Sequence, residues 1–548
     1  VLELASLGLL IGCVGPSYTP PDFRERERDF PPPQVPTFAR PDAATQNKAA
    51  DQSTGPSAAT GGLAIAPDQV APPPQTNAAP DRSTIAPSNG DSGAPETSEQ
   101  ATEKPPALTL DEVLESVYTR YPPYLSVLLE TELASAAVQQ ALGAFDTNFF
   151  AKAGRNFTGF YSSTVGQALL EQPLWMGGSV YGGYRVSDGL LPDYYEARTQ
   201  TGGELAVGGR FPLLRDREFD ARRLKLRQEE IDQALAEPRI AQGRIDFVLA
   251  ATRTYNQWLA EGRRLEIARE LLGLATKRVE DINRGVERQF LAGIDRTDNE
   301  RLIVQRQILV VRAERGLQQA ALALSLFLRS SDDEPIVPDP RRLPAGFEAS
   351  PAPDWSRFQD EAVEALARRP ELRRIELLID RTRADQDLAE NQIQPNLDVK
   401  IDASQDIDDS PYKDLNEFEL FAGLEFKLPI QRRAARGRLR QATTELERLG
   451  IERSFARDRV LNDIADALSA WQAAYNQLEQ ARRNVSLAEE LVQAEQRAFE
   501  LGRSDLLRIN LREIQLADAR IADLEAQLAA QQAAATYRAA LALDALPR

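Results

Sequence analysis

The strongest constraint on this chain is a change of period with no linker. From Phe418 to Leu428 apolar and polar residues alternate. Phe418, Leu420, Ala422, Leu424, Phe426 and Leu428 fall on one side, with Glu419, Glu425 and Lys427 on the other. Pro429 ends that strand, and helix formers then run almost unbroken to Phe499. Period 2 therefore gives way directly to a helical period. Roughly 70 helical residues make a rod of about 105 Å, far longer than the helices of ordinary globular domains. The same unit occurs earlier, as Gly203 to Phe211, then Pro212, then helical sequence from Leu213. The chain reads as two copies of one strand-and-rod unit.

Composition removes several function classes. The net charge of -18 speaks against nucleic-acid binding. There is no histidine, which excludes a Ser-His-Asp triad and His-bearing zinc sites. One cysteine, Cys13, precludes an internal disulfide. No stretch reaches the 18 apolar residues of a membrane helix, whereas half-apolar strands leave a β-barrel open. An enzyme built on paired carboxylates finds no two acids placed at a cleft, since most acids lie on helical faces. The chain is expected to be non-enzymatic and to need no cofactor or metal. The acids Asp406, Asp408, Asp409 and Asp414 lack calcium-loop spacing and read as a solvated loop.

The N-terminus has its own logic. Leu4 to Ile11 is apolar and leads to Leu10-Ile11-Gly12-Cys13, which resembles a lipobox. Residues 1–12 are then a signal-peptide remnant, with lipidation expected at Cys13. A positively charged leader is missing, so either the start codon is unusual or the start lies upstream. Residues 13–107 are rich in Pro, Ser, Thr, Gln and Asn. They are expected to form a disordered tether, because they cannot bury enough apolar surface to offset ordering.

The first repeat is expected over 108–331, with strands about 147–157 and 203–211 and a hairpin of long helices about 213–330. Pro238 should kink or interrupt its first helix. Heptad stripes mark the pair: Ala268, Leu272, Ala275, Val279, Ile282 and Val286 going out, and Ile303, Gln307, Val310, Glu314, Leu317, Ala321, Leu324 and Leu328 returning. Residues 161–202 are Gly- and Tyr-rich. Val180 to Val186 suggests one more strand, but three crossings would put the flanking helices on opposite sides of a membrane, so two strands are kept and the insert is read as loop or rim. After a linker at 332–354, the second repeat spans 355–548, with strands about 397–404 and 418–428 and a hairpin about 430–545. Four strands cannot close around water, and their edges would be unsatisfied in lipid. Eight strands close with little interior, whereas twelve from three chains leave a lumen.

These pieces resemble the TolC-like outer membrane factor (outer membrane efflux protein) family. Leu108-Thr109-Leu110-Asp111-Glu112-Val113-Leu114 with Tyr121-Pro122 is similar to its opening motif. Gly209-Arg210-Phe211-Pro212-Leu213-Leu214 and Leu428-Pro429-Ile430 are similar to its strand-helix junctions, and Ala367-Arg368-Arg369-Pro370-Glu371-Leu372 to its second opening. Cys13 to Pro21 resembles the mature start of the lipidated efflux branch. The resemblance implies a mostly α fold with membrane β structure: a trimer whose 12-stranded barrel continues as a periplasmic α-helical barrel. It implies a passive exit duct for efflux or type I secretion, joined by a periplasmic adaptor to an inner-membrane exporter of the proton-driven, ABC or similar class. It places adaptor contacts at the tips, Gly293, Gly502, Arg503 and Ser504, and a periplasmic gate at Asp505, Arg508, Asp295 and Asp298. Arg508 and Asn510 stand near positions where relatives carry acids, while Asp505 equally suits a helix N-terminus. The competing reading is a periplasmic coiled-coil adaptor without a pore. That reading calls for one hairpin split between halves of a β-domain, where this chain duplicates strand pair and hairpin.

Overall fold

A computed structural model describes residues 105–191, 198–289, 292–407, 417–501 and 503–545. Cys13, the tether up to residue 104, Asp408, Asp409, Asp414 and Gly502 lie outside the described residues. Strands β1 (Asn148–Arg155), β2 (Ser163–Pro173), β3 (Ser179–Gly189), β4 (Glu204–Pro212), β5 (Asn396–Asp406) and β6 (Glu419–Lys427) form one antiparallel sheet. Their spatial order is their chain order. Below the sheet stand four long helical runs. The outgoing run of the first repeat is α4 (Ala221–Ala234), α5 (Ala236–Lys277) and α6 (Val279–Glu287), and α7 (Gly293–Ser325) returns. In the second repeat α10 (Arg433–Glu500) goes out and α11 (Leu506–Ala540) returns. Shorter helices lead into each repeat: α1 (Leu110–Arg120), α2 (Pro122–Leu128) and α3 (Glu130–Leu142), then α8 (Phe358–Arg368) and α9 (Pro370–Asn391).

Two expectations need correction. Residues 161–202 are not simply loop or rim, because they supply the β2–β3 hairpin. The parity argument excluded three crossings correctly, but four crossings also return the chain to the starting side. Each copy therefore brings six strands rather than four, and three copies would bring eighteen rather than twelve. The first long helix does not begin at Leu213. Leu213 N–H still bonds the Leu397 carbonyl at 2.7 Å as sheet. Asp216 then turns with φ 66°, and Asp220 caps α4 by accepting from Arg223 N–H at 2.9 Å. Pro238 interrupts the rod as expected. The helix breaks three residues earlier, at Leu235, where an imino nitrogen at position 238 has no proton for the Ala234 carbonyl.

The rods are held by two equivalent cores. In the first repeat Leu108, Val113, Leu114 and Val117 pack on Val248, Tyr255 and Trp258 of α5 and on Leu317, Ala321 and Leu324 of α7. In the second, Phe358, Ala362 and Ala365 of α8 pack on Val460, Leu461, Ile464 and Leu468 of α10 and on Tyr537 of α11. A short amphipathic helix thus clamps the middle of each outgoing rod to the end of the helix that returns. Each clamp carries a buried phenol. Tyr255 O–H donates to the Leu108 carbonyl at 2.9 Å, and Tyr537 O–H donates to Glu361.

Burial, with the nearby Glu348 charge, pushes the Tyr255 hydroxyl up to about 12. The folded state therefore favours the protonated phenol, and its contribution is complete below the ordinary value of 10.0 and lost as pH rises through about 12. Thermal unfolding of Tyr255→Phe followed from pH 9 to about 12.5 should show a shallower alkaline decline than the parent. An unchanged slope would remove this phenol from the alkaline transition.

Candidate functional site

Strand pairing sorts the sheet into two faces. Following the partners across from Phe149↔Leu170, Gly182↔Val207, Ala403 and Leu420 gives one surface. It holds Phe149, Ala168, Leu170, Val180, Tyr184, Leu205, Val207, Val399, Ile401, Leu424 and Phe426. Many of these side chains are exposed, Phe149 at 69% and Leu424 at 72%. An exposed, continuous apolar surface this broad is abnormal in water and suits lipid.

The opposite face carries the charge. Its members include Lys152, Glu171, Arg185, Glu204, Arg210, Asp398, Lys400, Asp402, Asp406, Glu419, Glu425 and Lys427. The charges are organised in pairs. Arg185 Nη2 donates to Glu204 Oε1 at 2.8 Å, Arg210 Nε donates to Asp398 at 2.6 Å, and Lys400 Nζ lies 2.9 Å from Asp402. Tyr181 O–H donates to Asp402 across Gly208, where a Cβ would fall 2.3 Å from the Asp402 carboxylate. Asp406 accepts the Gln200 backbone N–H at 2.7 Å. Phe150, Leu169 and Phe421 are apolar exceptions on this face, and Lys400 sits over the Phe421 ring at 5.9 Å. One surface fits hydrocarbon and the other fits water.

Below the sheet, α5 and α11 run antiparallel and are joined by a ladder. Arg253 donates to Thr536 at 3.0 Å. Arg264 meets Glu525 at 2.9 Å, and Arg520 reaches Glu270 at 2.9 Å and Glu489 of α10 at 3.0 Å. The rung nearest the tips is different, because it is buried. Glu513 is 2% exposed and faces both Arg278 and Arg306, the latter at 3.1 Å. Arg278 also donates to Asn510 at 2.7 Å, and Arg306 to the Leu271 carbonyl at 2.5 Å. Burial, reinforced by neighbouring Arg278, lowers the Arg306 guanidinium to about 10. Heptad counting missed this cluster, since it placed Ile303 and Gln307 on the inner stripe. The buried residues are instead Leu302 and Arg306.

Residues 362–543 match the family model described as outer membrane efflux protein. The match lies within the second repeat. Solved channels share the fold. The outer-membrane channel OprN superposes with a TM-score of 0.56 at 16% identity, covering 79% of this chain and 89% of that one. The MtrE outer membrane channel of Neisseria gonorrhoeae, described in its open state, gives 0.56 at 16% identity, covering 79% and 88%. The outer membrane protein VceC of Vibrio cholerae gives 0.53 at 12% identity, covering 79% and 96%. No curated protein matches the sequence.

The tip residues of the chain have definite local roles. Asp505 is the N-cap of α11 and accepts Arg508 N–H at 2.9 Å. Asp295 accepts Ala292 N–H at 2.9 Å in the first turn of α7. Gly293 opens that helix. Asp298 and Arg301 are exposed and 3.9 Å apart. Arg503 N–H bonds the Ala498 carbonyl at 2.8 Å, and Ser504 O–H donates to Glu495. No helix among the described residues is long and apolar enough to span a membrane, and no metal-binding cluster occurs among them.

The ladder predicts a steep contrast between rungs. Glu513→Gln leaves buried Arg306 and half-buried Arg278 without a carboxylate, a loss of about 3–5 kcal/mol. Glu270→Gln opens an exposed rung and should cost about 1 kcal/mol or less. Thermal midpoints of the two purified variants should separate accordingly, and equal midpoints would count against a special buried rung.

Proposed function

We propose that this protein is an outer-membrane exit duct, a passive channel whose helical body hangs in the periplasm. The observation that carries this reading is the two-faced sheet. Apolar side chains cover one side, charge pairs cover the other, and both edge strands, β1 and β6, lack a partner in a single copy. Open strand edges are not tolerated in hydrocarbon, so identical copies must join edge to edge into a closed wall. Three copies provide the ring. Exposed apolar residues along the rods, Val304, Ile308 and Val311 on α7 and Leu487 and Leu491 on α10, give neighbouring hairpins a surface to bury.

In this reading the water-filled lumen runs along the charged face, and energy comes from an inner-membrane exporter through a periplasmic adaptor. The hairpin tips around Gly293, Gly502, Arg503 and Ser504 form the adaptor contact. Residues Asp295, Asp298, Asp505 and Arg508 form the mouth, with the buried Arg278–Glu513–Arg306 cluster holding α11 against the first hairpin just behind it. A lipid at Cys13 anchors the N-terminus. Duplicated strands and rods favour this reading over a pore-free adaptor, and the work of the chain is conduction rather than catalysis.

Detergent-purified protein in a planar bilayer should give discrete single-channel openings, and its mass should be that of a trimer. A stable monomer with no conductance would favour the scaffold reading. At the mouth, Asp505→Ser retains a cap on α11 but removes the charge. If Asp505 helps to gate, that variant changes open probability or ion selectivity while the unfolding midpoint stays within about 0.5 kcal/mol of the parent. Unchanged currents would leave Asp505 with its capping role alone.

A further inference from the structure

Resting on the exit-duct reading, we propose that the β2–β3 hairpin is part of the membrane wall, so that three copies close an eighteen-stranded barrel. Its duct then admits bulky, hydrated cargo that a twelve-stranded wall would exclude.

Four observations place the hairpin in the wall. The first is height. β2 pairs along all of β1, from Asn148↔Glu171 to Arg155↔Thr164. β3 pairs with β4 from Ser179↔Arg210 to Arg185↔Glu204. The hairpin therefore occupies the same level as its neighbours and does not extend above them. The second is facing. Ala168, Leu170, Val180 and Tyr184 continue the apolar surface of Phe149 and Leu205, while Gln167, Glu171 and Arg185 continue the charged one. A loop folded over either face would break that alternation.

The third is the turn at Leu174–Gly178, which is built into the sheet-to-helix junction. Trp175 stacks on Phe145 with ring centroids 4.0 Å apart and planes 8° from parallel. Arg222 of α4 donates to the Gly178 carbonyl at 3.3 Å. Gly178 has φ +79°, and a Cβ there would lie 2.0 Å from the Arg210 carbonyl. The turn is thus fitted against β4 and α4, at the end of the sheet from which the rods leave.

The fourth is width. Six strands about 4.8 Å apart and tilted about 40° span roughly 38 Å of wall. Four helices at interaxial distances of 9–10 Å span roughly 36–40 Å. Four strands would cover only about 25 Å. Six strands let the sheet meet the helical wall of its own chain without narrowing. An eighteen-stranded barrel has a backbone radius of roughly 18 Å, against roughly 12 Å for twelve strands. After about 5 Å of side chain on each side, the lumens are about 26 Å and about 14 Å wide, an open area about threefold larger.

An electron-microscopy map of the full-length, detergent-purified protein should show eighteen strands around a threefold axis. A map with a twelve-stranded ring and residues 163–189 outside it, or a dimer that closes twelve strands, overturns the proposal. Either result, accompanied by conductance, leaves the channel itself standing, whereas loss of conductance in every preparation defeats the channel reading instead. Single cysteines supply a check that does not depend on the gate. A water-soluble maleimide should label Gln167→Cys in liposomes at least tenfold faster than Ala168→Cys, with the parent protein as background. Equal rates at the two positions would remove the hairpin from the wall.

Discussion

A strand edge in hydrocarbon has nowhere to put its N–H and C=O groups, and the rest of this architecture follows from that restriction. The sheet has six strands in chain order with β1 and β6 at its margins. Its apolar face is not buried by its own chain, because α3 and α9 lead into the sheet and α4 and α10 leave it at one end. In the proposed exit duct other copies close the sheet, and closure sets the charged face inward. The pairs Arg185–Glu204, Arg210–Asp398 and Lys400–Asp402 then lie on a wetted interior. Paired in this way, they keep a polar wall without presenting a large surplus of either sign.

The helical body solves a different problem, which is how to keep rods of about 100 Å parallel. Each repeat uses one amphipathic helix as a clamp, α1 on the middle of α5 and the end of α7, and α8 on the middle of α10 and the end of α11. Between clamp and tip, the two repeats are joined mainly by the α5–α11 ladder. Its rungs at Arg264 and Arg520 are partly exposed, and only the Glu513 rung is buried. Such a seam is weak along most of its length and strong at one point near the tips. Burying two guanidinium groups around one carboxylate is poor value as stability, and it is better understood as fixing the register of the two hairpins.

Much of this was legible in the sequence. The strict alternation of Phe418–Leu428 and the long helical period after Pro429 marked β6 and α10 almost to the residue, because both patterns are local. The Asp505 cap was legible for the same reason. The β2–β3 hairpin was not, because Ser179–Gly189 contains Gly182, Gly183 and Tyr residues on both faces and so lacks clean alternation. Its strand character comes from neighbours: Gly183 lies so close to the Ala168 carbonyl that a Cβ would sit 2.2 Å away. Arg306 was hidden for the opposite reason. An arginine beside the heptad stripe looks like a surface position until Glu513, from the other repeat, is folded against it.

The chain-order topology has a consequence for how such walls can vary. A strand added singly would strand the following helix on the wrong side, so a hairpin is the smallest admissible change. The β2–β3 hairpin sits in the first repeat only, leaving the second with two strands. Under cyclic symmetry every such insertion is multiplied by the number of copies. Bore is then a stepped quantity, moving by six strands at a time in a threefold ring, and a single inserted segment of about 25 residues moves it by one whole step.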